Sequence, residues 1–435
     1  MLRQSVMGSD RLSSPVARCR TRLHAAAALA VLLASAPASL ARHEDPVLNA
    51  PLKQWLADGP VAQIPWKVKI SAGGLSYHQR LEGIIDVRVD GREVVNRPHE
   101  GSLTCLVRIT DEQGSIYEEH DELDLGNVTA DTARSDVQFL FAPYVVPGVY
   151  KVQVFLWHSK SGEHNLAERS LQIEPLSKDP LPEADANLPR VEFNKSTQQA
   201  LEDTYQPDVR GRLHLRLATA QPVHLDLLAD VTPGGRGSYS RGLALLLPLL
   251  KTLSQIEVTN GSVDVAAIHL LHQRVTFEQE GLDVLDWKRL RSVLASGDPG
   301  VVGVRELQSR TQQAAFFREE MRRRLAPPEG TKMQGTVRAV ILMGNWFGFE
   351  EGNDLTPLAA PADSNCLVFY LRIMPMSYIE GRVLSIKSWK DDLERILAPL
   401  KPRVYEIDTP LSERKALADI LHRISLAGAS MPYRP

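Results

Sequence analysis

A glycine-rich stretch, Gly234 to Ser240, has the residue types of an anion-binding loop. It follows an apolar run typical of a buried strand and leads into a run of helical period. Glycines let backbone N–H groups converge, and a helix N-terminus carries partial positive charge. Arg236 and Arg241 add full charges, so the stretch predicts a site for a partner's carboxylate, with Ser238 and Ser240 in the same candidate set. The alternative is a surface loop that only crosses the top of a sheet.

The same stretch also approximates the nucleophile elbow of serine hydrolases. In the segment SYSRG, Ser240 would be the nucleophile of a G-x-S-x-G motif, and Ser238 replaces the first glycine. The elbow requires its serine on a sharp turn directly after the strand. Here eight residues separate Val231, at the end of the apolar run, from Ser240. Partners in the usual order would be Asp354 or Asp408 and then His422, so a hydrolase remains the alternative to a binding loop.

These residues need a sheet whose strand ends meet at one edge, and the second half of the chain predicts one. Apolar runs alternate there with longer runs of helical period. The expected strands are 223–231, 263–270, 274–280, 336–343, 367–373 and 403–407, and the expected helices are 240–256, 287–294, 304–325, 389–400 and 411–424. This pattern predicts a doubly wound α/β fold with a mostly parallel sheet, helices on both faces and ligands at the carboxyl ends of the strands.

Two boundaries of these helices have specific sequence signals. Pro248 is expected to kink or end the first helix, because proline removes a backbone donor and clashes with the preceding turn. Ser388 is the expected N-cap of the helix 389–400, with Asp391 at its capping-box position.

Residues 61–177 have strands of a different kind, in which apolar and polar residues alternate. Ile85 to Val89, Leu103 to Ile109 and Tyr150 to Leu156 are the clearest examples. About seven such strands, separated by turn signals, predict an antiparallel β-sandwich of immunoglobulin-like or fibronectin-like type. Residues 178–212 are expected to be a proline-rich extended linker, and residues 213–435 the α/β domain.

Residues 1–41 predict a secretory signal peptide. Five arginines precede an apolar run from Ala25 to Ala34, and Ser39-Leu40-Ala41 is an acceptable cleavage site. The apolar run is short for a membrane span, and a retained anchor is the alternative. The chain is therefore expected to be exported to the periplasm, the cell envelope or the exterior, with no membrane span in its mature part. A net charge of -3 provides no basic field that would attract nucleic acid.

The order of elements over about Val223 to Leu426 resembles that of the von Willebrand factor A domain. The local anchor of the resemblance is Asp230-Val231-Thr232 at the end of the first strand. In that family the strand end reads D-x-S-x-S, and its aspartate and hydroxyls hold a divalent cation, usually Mg²⁺. A partner's carboxylate completes the coordination of the cation.

The resemblance implies that Asp230 and Thr232 are the metal ligands of this chain, in an incomplete site. Gly234 occupies the third hydroxyl position, residues 298–303 contain no threonine, and Asn345 lies where the family has an acidic residue. A cation requires several oxygen ligands, so we expect no bound cofactor, with Mg²⁺ as the alternative. The resemblance then implies a degenerate, non-catalytic domain.

The expected function is protein binding or adhesion outside the cytoplasm, with a partner of unknown identity. The binding surface would comprise the strand-end loops at residues 230–240 and 344–348. Trp346 follows the fourth strand, and an aromatic residue at a loop tip can anchor a partner. Packing of Trp346, Phe347 and Phe349 beneath the loop is the alternative. The other functional hypotheses are an extracytoplasmic serine hydrolase that uses Ser240 and a structural component of the envelope.

Overall fold

The computed structural model describes residues 46–193, 210–232, 239–296, 309–326, 335–349, 351–359, 366–373, 377–379, 382–384 and 391–429. The predicted signal peptide lies outside these ranges. By its internal contacts the chain divides into two compact units, residues 1–54 and 55–435. All described strands belong to the second unit. It is a mixed α/β structure with antiparallel sheets, a two-stranded parallel sheet and one mixed sheet that contains parallel strands.

Ten strands lie within residues 46–193, the first of the described ranges. They are β1 Val61–Ala62, β2 Trp66–Leu75, β3 Leu81–Asp90, β4 Ser102–Thr110, β5 Ile116–Asp124, β6 Asp136–Phe141, β7 Tyr144–Val145, β8 Gly148–His158, β9 His164–Ile173 and β10 Val191–Glu192. Helix α1 spans Pro46–Asp58, and the short helix α2 spans Gly91–Val95. One antiparallel sheet has the order β1-β9-β8-β4-β5, and the other has the order β10-β7-β3-β2 with β6 beside β3.

The two antiparallel sheets share one hydrophobic core. Ile85 and Val87 of β3 and Cys105 and Val107 of β4 are fully buried in it, at 0% exposure. The alternation in the sequence therefore identified the inward faces correctly. The alternation pattern did not reveal β5, whose sequence IYEEHDELD has few apolar residues. β5 is an edge strand, with a neighbouring strand on one side only. About seven strands were expected and ten are present. Three of the ten have only two residues each, too few to show an alternating pattern.

The described residues of the second half form ten further strands and five further α-helices. The strands are β11 Leu215–Leu217, β12 Val223–Asp230, β13 Ile256–Val258, β14 Gly261–His269, β15 Arg274–Gln279, β16 Val337–Asn345, β17 Cys366–Ile373, β18 Ser377–Ile379, β19 Arg382–Leu384 and β20 Arg403–Ile407. The helices are α3 Tyr239–Leu253, α4 Trp287–Ser296, α5 Gln313–Leu325, α6 Asp392–Leu397 and α7 Pro410–Gly428.

Six of these strands form one sheet in the order β15-β14-β12-β16-β17-β20. Neighbours are parallel from β14 to β20, and β15 is antiparallel to β14. One face packs against α3, α4 and α7 in a cluster that includes Leu227, Leu250 and Ile420. The other face packs against α5 and α6 through residues such as Phe317 and Ile396. The apolar character of the strands follows from this burial on both faces.

The segment expected to be an extended linker contains tight turns in its described part. Backbone N–H groups of Ala184, Ala186 and Leu188 each donate to the carbonyl three residues earlier. Asp179 accepts two hydrogen bonds of 2.7 Å from the fully buried guanidinium of Arg414 in α7. The proline content alone predicted an extended segment. The ion pair between Asp179 and Arg414 and the burial of Ala184 instead hold its described part in turns.

Two helices have boundary signals that can be compared with the structure. Helix α3 continues through Pro248 to Leu253, so the proline does not end the helix. Helix α6 begins at Asp392, and Asp391 is itself the N-cap, accepting a hydrogen bond from the N–H of Leu393 at 3.1 Å. Ser388 lies outside the described residues. Among the described helices, none is both long enough and apolar enough to cross a membrane.

Candidate functional site

Asp230 and Trp346 lie at the same edge of the six-stranded sheet. Strands β12 and β16 run parallel, and their register pairs Ala229 with Met343. The next pair along the strands is Asp230 and Gly344, where a Cβ built on the glycine would lie 2.9 Å from the Cβ of Asp230. Gly344 therefore leaves room for the aspartate, and Trp346 follows two residues later. Asp230 and Trp346 therefore lie at the ends of two neighbouring parallel strands.

The carboxylate of Asp230 is buried and satisfied by neutral donors. Asp230 is only 2% exposed. Its Oδ1 accepts hydrogen bonds from the backbone N–H and the hydroxyl of Thr232. The Thr232 oxygen in turn accepts the backbone N–H of Leu270 at 2.7 Å. Burial, and to a smaller extent the charge of Asp391, raise the pKa of Asp230, and the two hydrogen bonds from Thr232 lower it, so that the pKa is about 7.

A second polar group, centred on Asp391, lies near Asp230. The hydroxyl of the fully buried Tyr370 donates to Oδ2 of Asp391 at 2.9 Å, and a guanidinium nitrogen of Arg372 lies 3.5 Å from the same oxygen. Burial raises the pKa of Asp391, while Tyr370 and Arg372 oppose the rise. Arg372 also pairs with Glu394 at 2.8 Å. Two carboxyl groups are thus sheltered among the described residues of this edge, and of these Asp391 lies beside the guanidinium of Arg372.

The aromatic residues after β16 divide between the two expected roles. Phe347 is buried, at 8% exposure, and its ring contacts that of Phe349 edge to face at 5.0 Å. Trp346 is only partly buried. A Cβ on Gly348 would lie 3.1 Å from the Trp346 ring, so this glycine lets the indole lie against the loop. Phe347 packs beneath the loop, and Trp346 retains surface that a partner can contact.

The structure describes only part of the predicted site. Asp230 and Thr232 are buried, and the hydroxyl of Thr232 donates a hydrogen bond to Asp230. The carbonyl oxygen of Asn345 lies 3.4 Å from the Tyr370 hydroxyl. Ser240 lies in the first turn of α3, and its side chain is outside the described residues. Arg236 and Ser238 are likewise outside them. The predicted anion loop and the Asp230–Thr232 cation site therefore remain predictions.

Sequence reasoning missed Tyr370, Arg372 and the capping role of Asp391. Asp391 is followed three residues later by Glu394, which is the spacing of a capping box, so the signal for a helix start was present. Tyr370 and Arg372 had no comparable signal. They alternate within an apolar strand, and only the pairing of β16 with β17 brings them close to Asn345.

For the hydrolase alternative, the described partners have other contacts. Asp354 pairs with Arg318 at 2.9 Å and accepts the backbone N–H of Thr356 at 2.9 Å. His422 is exposed on α7.

No family model matches this chain, and neither does any curated protein. Among solved structures, the chain has a local likeness to the X-ray structure of Northeast Structural Genomics Consortium target SoR45. The sequence identity is 17%, and the match covers 27% of this chain and 89% of that chain, with a TM-score of 0.17. A likeness at this TM-score supports no inference about fold or function.

Proposed function

We propose that this chain is an exported, non-catalytic protein-binding module of adhesion type. Its α/β part would be a degenerate von Willebrand A-like domain, and its β part an immunoglobulin-like sandwich. The binding surface would be the carboxyl-end edge of the six-stranded sheet, with Asn345 and Trp346 at its centre. The main support is that Asp230, Asn345 and the partly buried Trp346 share one edge.

The electrostatics of this edge favour binding that does not depend on a cation. Oδ1 of Asp230 is occupied by Thr232, and burial raises the pKa of this carboxyl group to about 7. A carboxyl group with a raised pKa must lose its proton before it binds a hard cation such as Mg²⁺, which weakens it as a ligand. Trp346 can contribute contact area, and aromatic side chains are enriched among the residues that dominate binding energy.

The contacts between the β part and the α/β part favour rigid presentation of this edge. The guanidinium of Arg414 in α7 donates hydrogen bonds to the carboxylate of Asp179 and the carbonyl of Gln79. The hydroxyl of Tyr77 donates to the carbonyl of Asp408 at 2.9 Å. Buried charged contacts of this kind fix one relative arrangement of the two parts. A surface held in one arrangement loses less entropy when a partner binds.

Site-specific photo-crosslinking tests the proposal. A photoreactive amino acid at position 346 should give a discrete adduct with an envelope protein in cells that produce the chain. Val284, which is 70% exposed and lies in the loop between β15 and α4, is the matched control position. Absence of an adduct at 346, or equal adducts at 346 and 284, would contradict the proposed surface.

The hydrolase alternative has its own test. We expect the Ser240→Ala variant to hydrolyse 4-nitrophenyl acetate at the same rate as the unmodified protein. A loss of esterase activity in this variant, with unchanged circular dichroism, would replace the binding proposal with a serine hydrolase.

A further inference from the structure

A cluster of one histidine and two aspartates lies at the opposite end of the same sheet. His224 and Asp226 project from one face of β12, and the parallel register pairs them with Ser262 and Asp264 of β14. One potential ligand atom from each of His224, Asp226 and Asp264 lies within 4.8 Å of the others. The members of the cluster on β12 are four and six residues from Asp230, which corresponds to about 13 Å and about 20 Å along the strand.

Two carboxylate oxygens converge on one nitrogen of His224. Its Nε2 lies 3.3 Å from Oδ2 of Asp226 and 3.6 Å from Oδ2 of Asp264. A proton shared between an imidazolium and a carboxylate gives a shorter separation, about 2.7–2.9 Å. Two ligands about 2.0 Å from a tetrahedral Zn²⁺ lie about 3.3 Å apart. The observed separations therefore match the edge of a metal coordination polyhedron better than a direct hydrogen bond.

Each of the three side chains is also held by a group behind it. Nδ1 of His224 lies 2.8 Å from the hydroxyl oxygen of Ser262. Oδ1 of Asp226 accepts a hydrogen bond from Arg324 at 3.2 Å, and Oδ1 of Asp264 accepts one from the N–H of Gly281 at 2.8 Å. In each carboxylate, one oxygen is held and the other faces Nε2. Such outer partners orient the ligands of metal sites and fix the histidine tautomer.

The surroundings of the cluster admit a cation from solvent. The side chains of His224 and Asp264 are each 16% exposed, and that of Asp226 is 6% exposed. The guanidinium of Arg324 is shared with Glu278 and Glu320, which reduces its repulsion of an incoming cation. Arg338 adds a further positive charge on the neighbouring strand, but its guanidinium donates to main-chain carbonyls at the end of α5.

We propose that His224, Asp226 and Asp264 form a binding site for a divalent transition metal, best matched by Zn²⁺. Nε2 of His224 and Oδ2 of each aspartate are the three protein ligands, and water takes the fourth position. One nitrogen and two carboxylate oxygens suit Zn²⁺, which accepts both ligand types in tetrahedral geometry.

The test is a Zn²⁺ titration of the chelator-treated protein by calorimetry, together with visible absorption spectra after Co²⁺ substitution. We expect one ion per chain and a tetrahedral Co²⁺ spectrum. Affinity should fall roughly 100-fold or more in His224→Gln and in Asp264→Asn. It should fall roughly 10- to 100-fold in Ser262→Ala, which removes only the outer partner. His120→Gln, an exposed position on β5, is the matched control and should bind as the unmodified protein does.

Three results would overturn the proposal. They are no Zn²⁺ binding, equal binding in the His224→Gln variant, and an unaltered His224 nitrogen resonance on addition of Zn²⁺. The resonance is measured on the unmodified protein, so it decides the question even where a variant fails to fold. The last result would mean that the cluster is only an ion pair between a protonated His224 and its two aspartates.

Discussion

Asp226 and Asp230 lie four residues apart on the same face of β12, and both are buried, at 4% and 2% exposure. Their partners differ. Asp226 lies between Arg324 and His224, whereas the hydrogen-bond donor to Asp230 among the described residues is Thr232, and the like charge of Asp391 lies nearby. Burial of an aspartate therefore does not by itself decide its role. The neighbouring charges determine whether the site favours a cation or a proton.

The largest expected effect comes from removing the cation beside Asp226. Arg324→Met should lower the free energy of unfolding by about 3–5 kcal/mol, because it removes the guanidinium that pairs with the buried carboxylates of Asp226 and Glu320. Urea denaturation at neutral pH measures the loss. Arg322→Met on the same helix is the matched control, since Arg322 and Glu319 form an exposed pair, and should cost no more than about 1 kcal/mol. Equal losses in the two variants would mean that Asp226 does not depend on Arg324.

The next effect concerns the proton on Asp230. Its pKa rises on folding from 3.8 to about 7, so between these pH values the folded state holds a proton that the unfolded state has lost. Stability should therefore fall as pH rises through this window and level off above about pH 7. One pKa unit corresponds to about 1.4 kcal/mol, which limits the loss to about 4 kcal/mol.

Asp230→Asn removes this titrating group and tests the effect directly. The variant should match the unmodified protein near pH 4 and be the more stable of the two at pH 8, by up to about 4 kcal/mol. Urea denaturation at several pH values measures the difference. Asp131→Asn, at an exposed position, controls for the substitution itself. A difference that stays constant with pH would contradict a buried, protonated Asp230.

The smallest effect tests the hydrogen-bond bridge from Asp230 to Leu270, the residue directly after β14. Thr232→Val removes the hydroxyl that donates to Asp230 and accepts the N–H of Leu270. Leaving that N–H unsatisfied should cost about 1–3 kcal/mol in thermal or urea denaturation. Thr232→Ser retains the hydroxyl and should recover most of the loss. If serine and valine are equally destabilising, the hydroxyl does not act as the bridge.

Periodicity in the sequence identified many of the elements because burial imposes it directly. The strand expected at 223–231 is β12, that at 403–407 is β20, and the helix expected at 411–424 is α7. Edge strand β5 escaped notice because it is rich in charged residues. At the candidate site, the apolar run ending at Asp230 correctly marked a strand end. The contacts of Asp391 were missed because its partners come from another strand.

The sequence by itself determined which segments could be buried, because apolar spacing follows directly from the geometry of strands and helices. It also indicated that strand β12 ends near Asp230 and that a helix begins near Asp391. Only the tertiary structure decided which polar groups meet. Strand order brings His224 beside Asp264 and Gly344 beside Asp230. Such pairings depend on long-range register, and no local pattern of residues encodes that register.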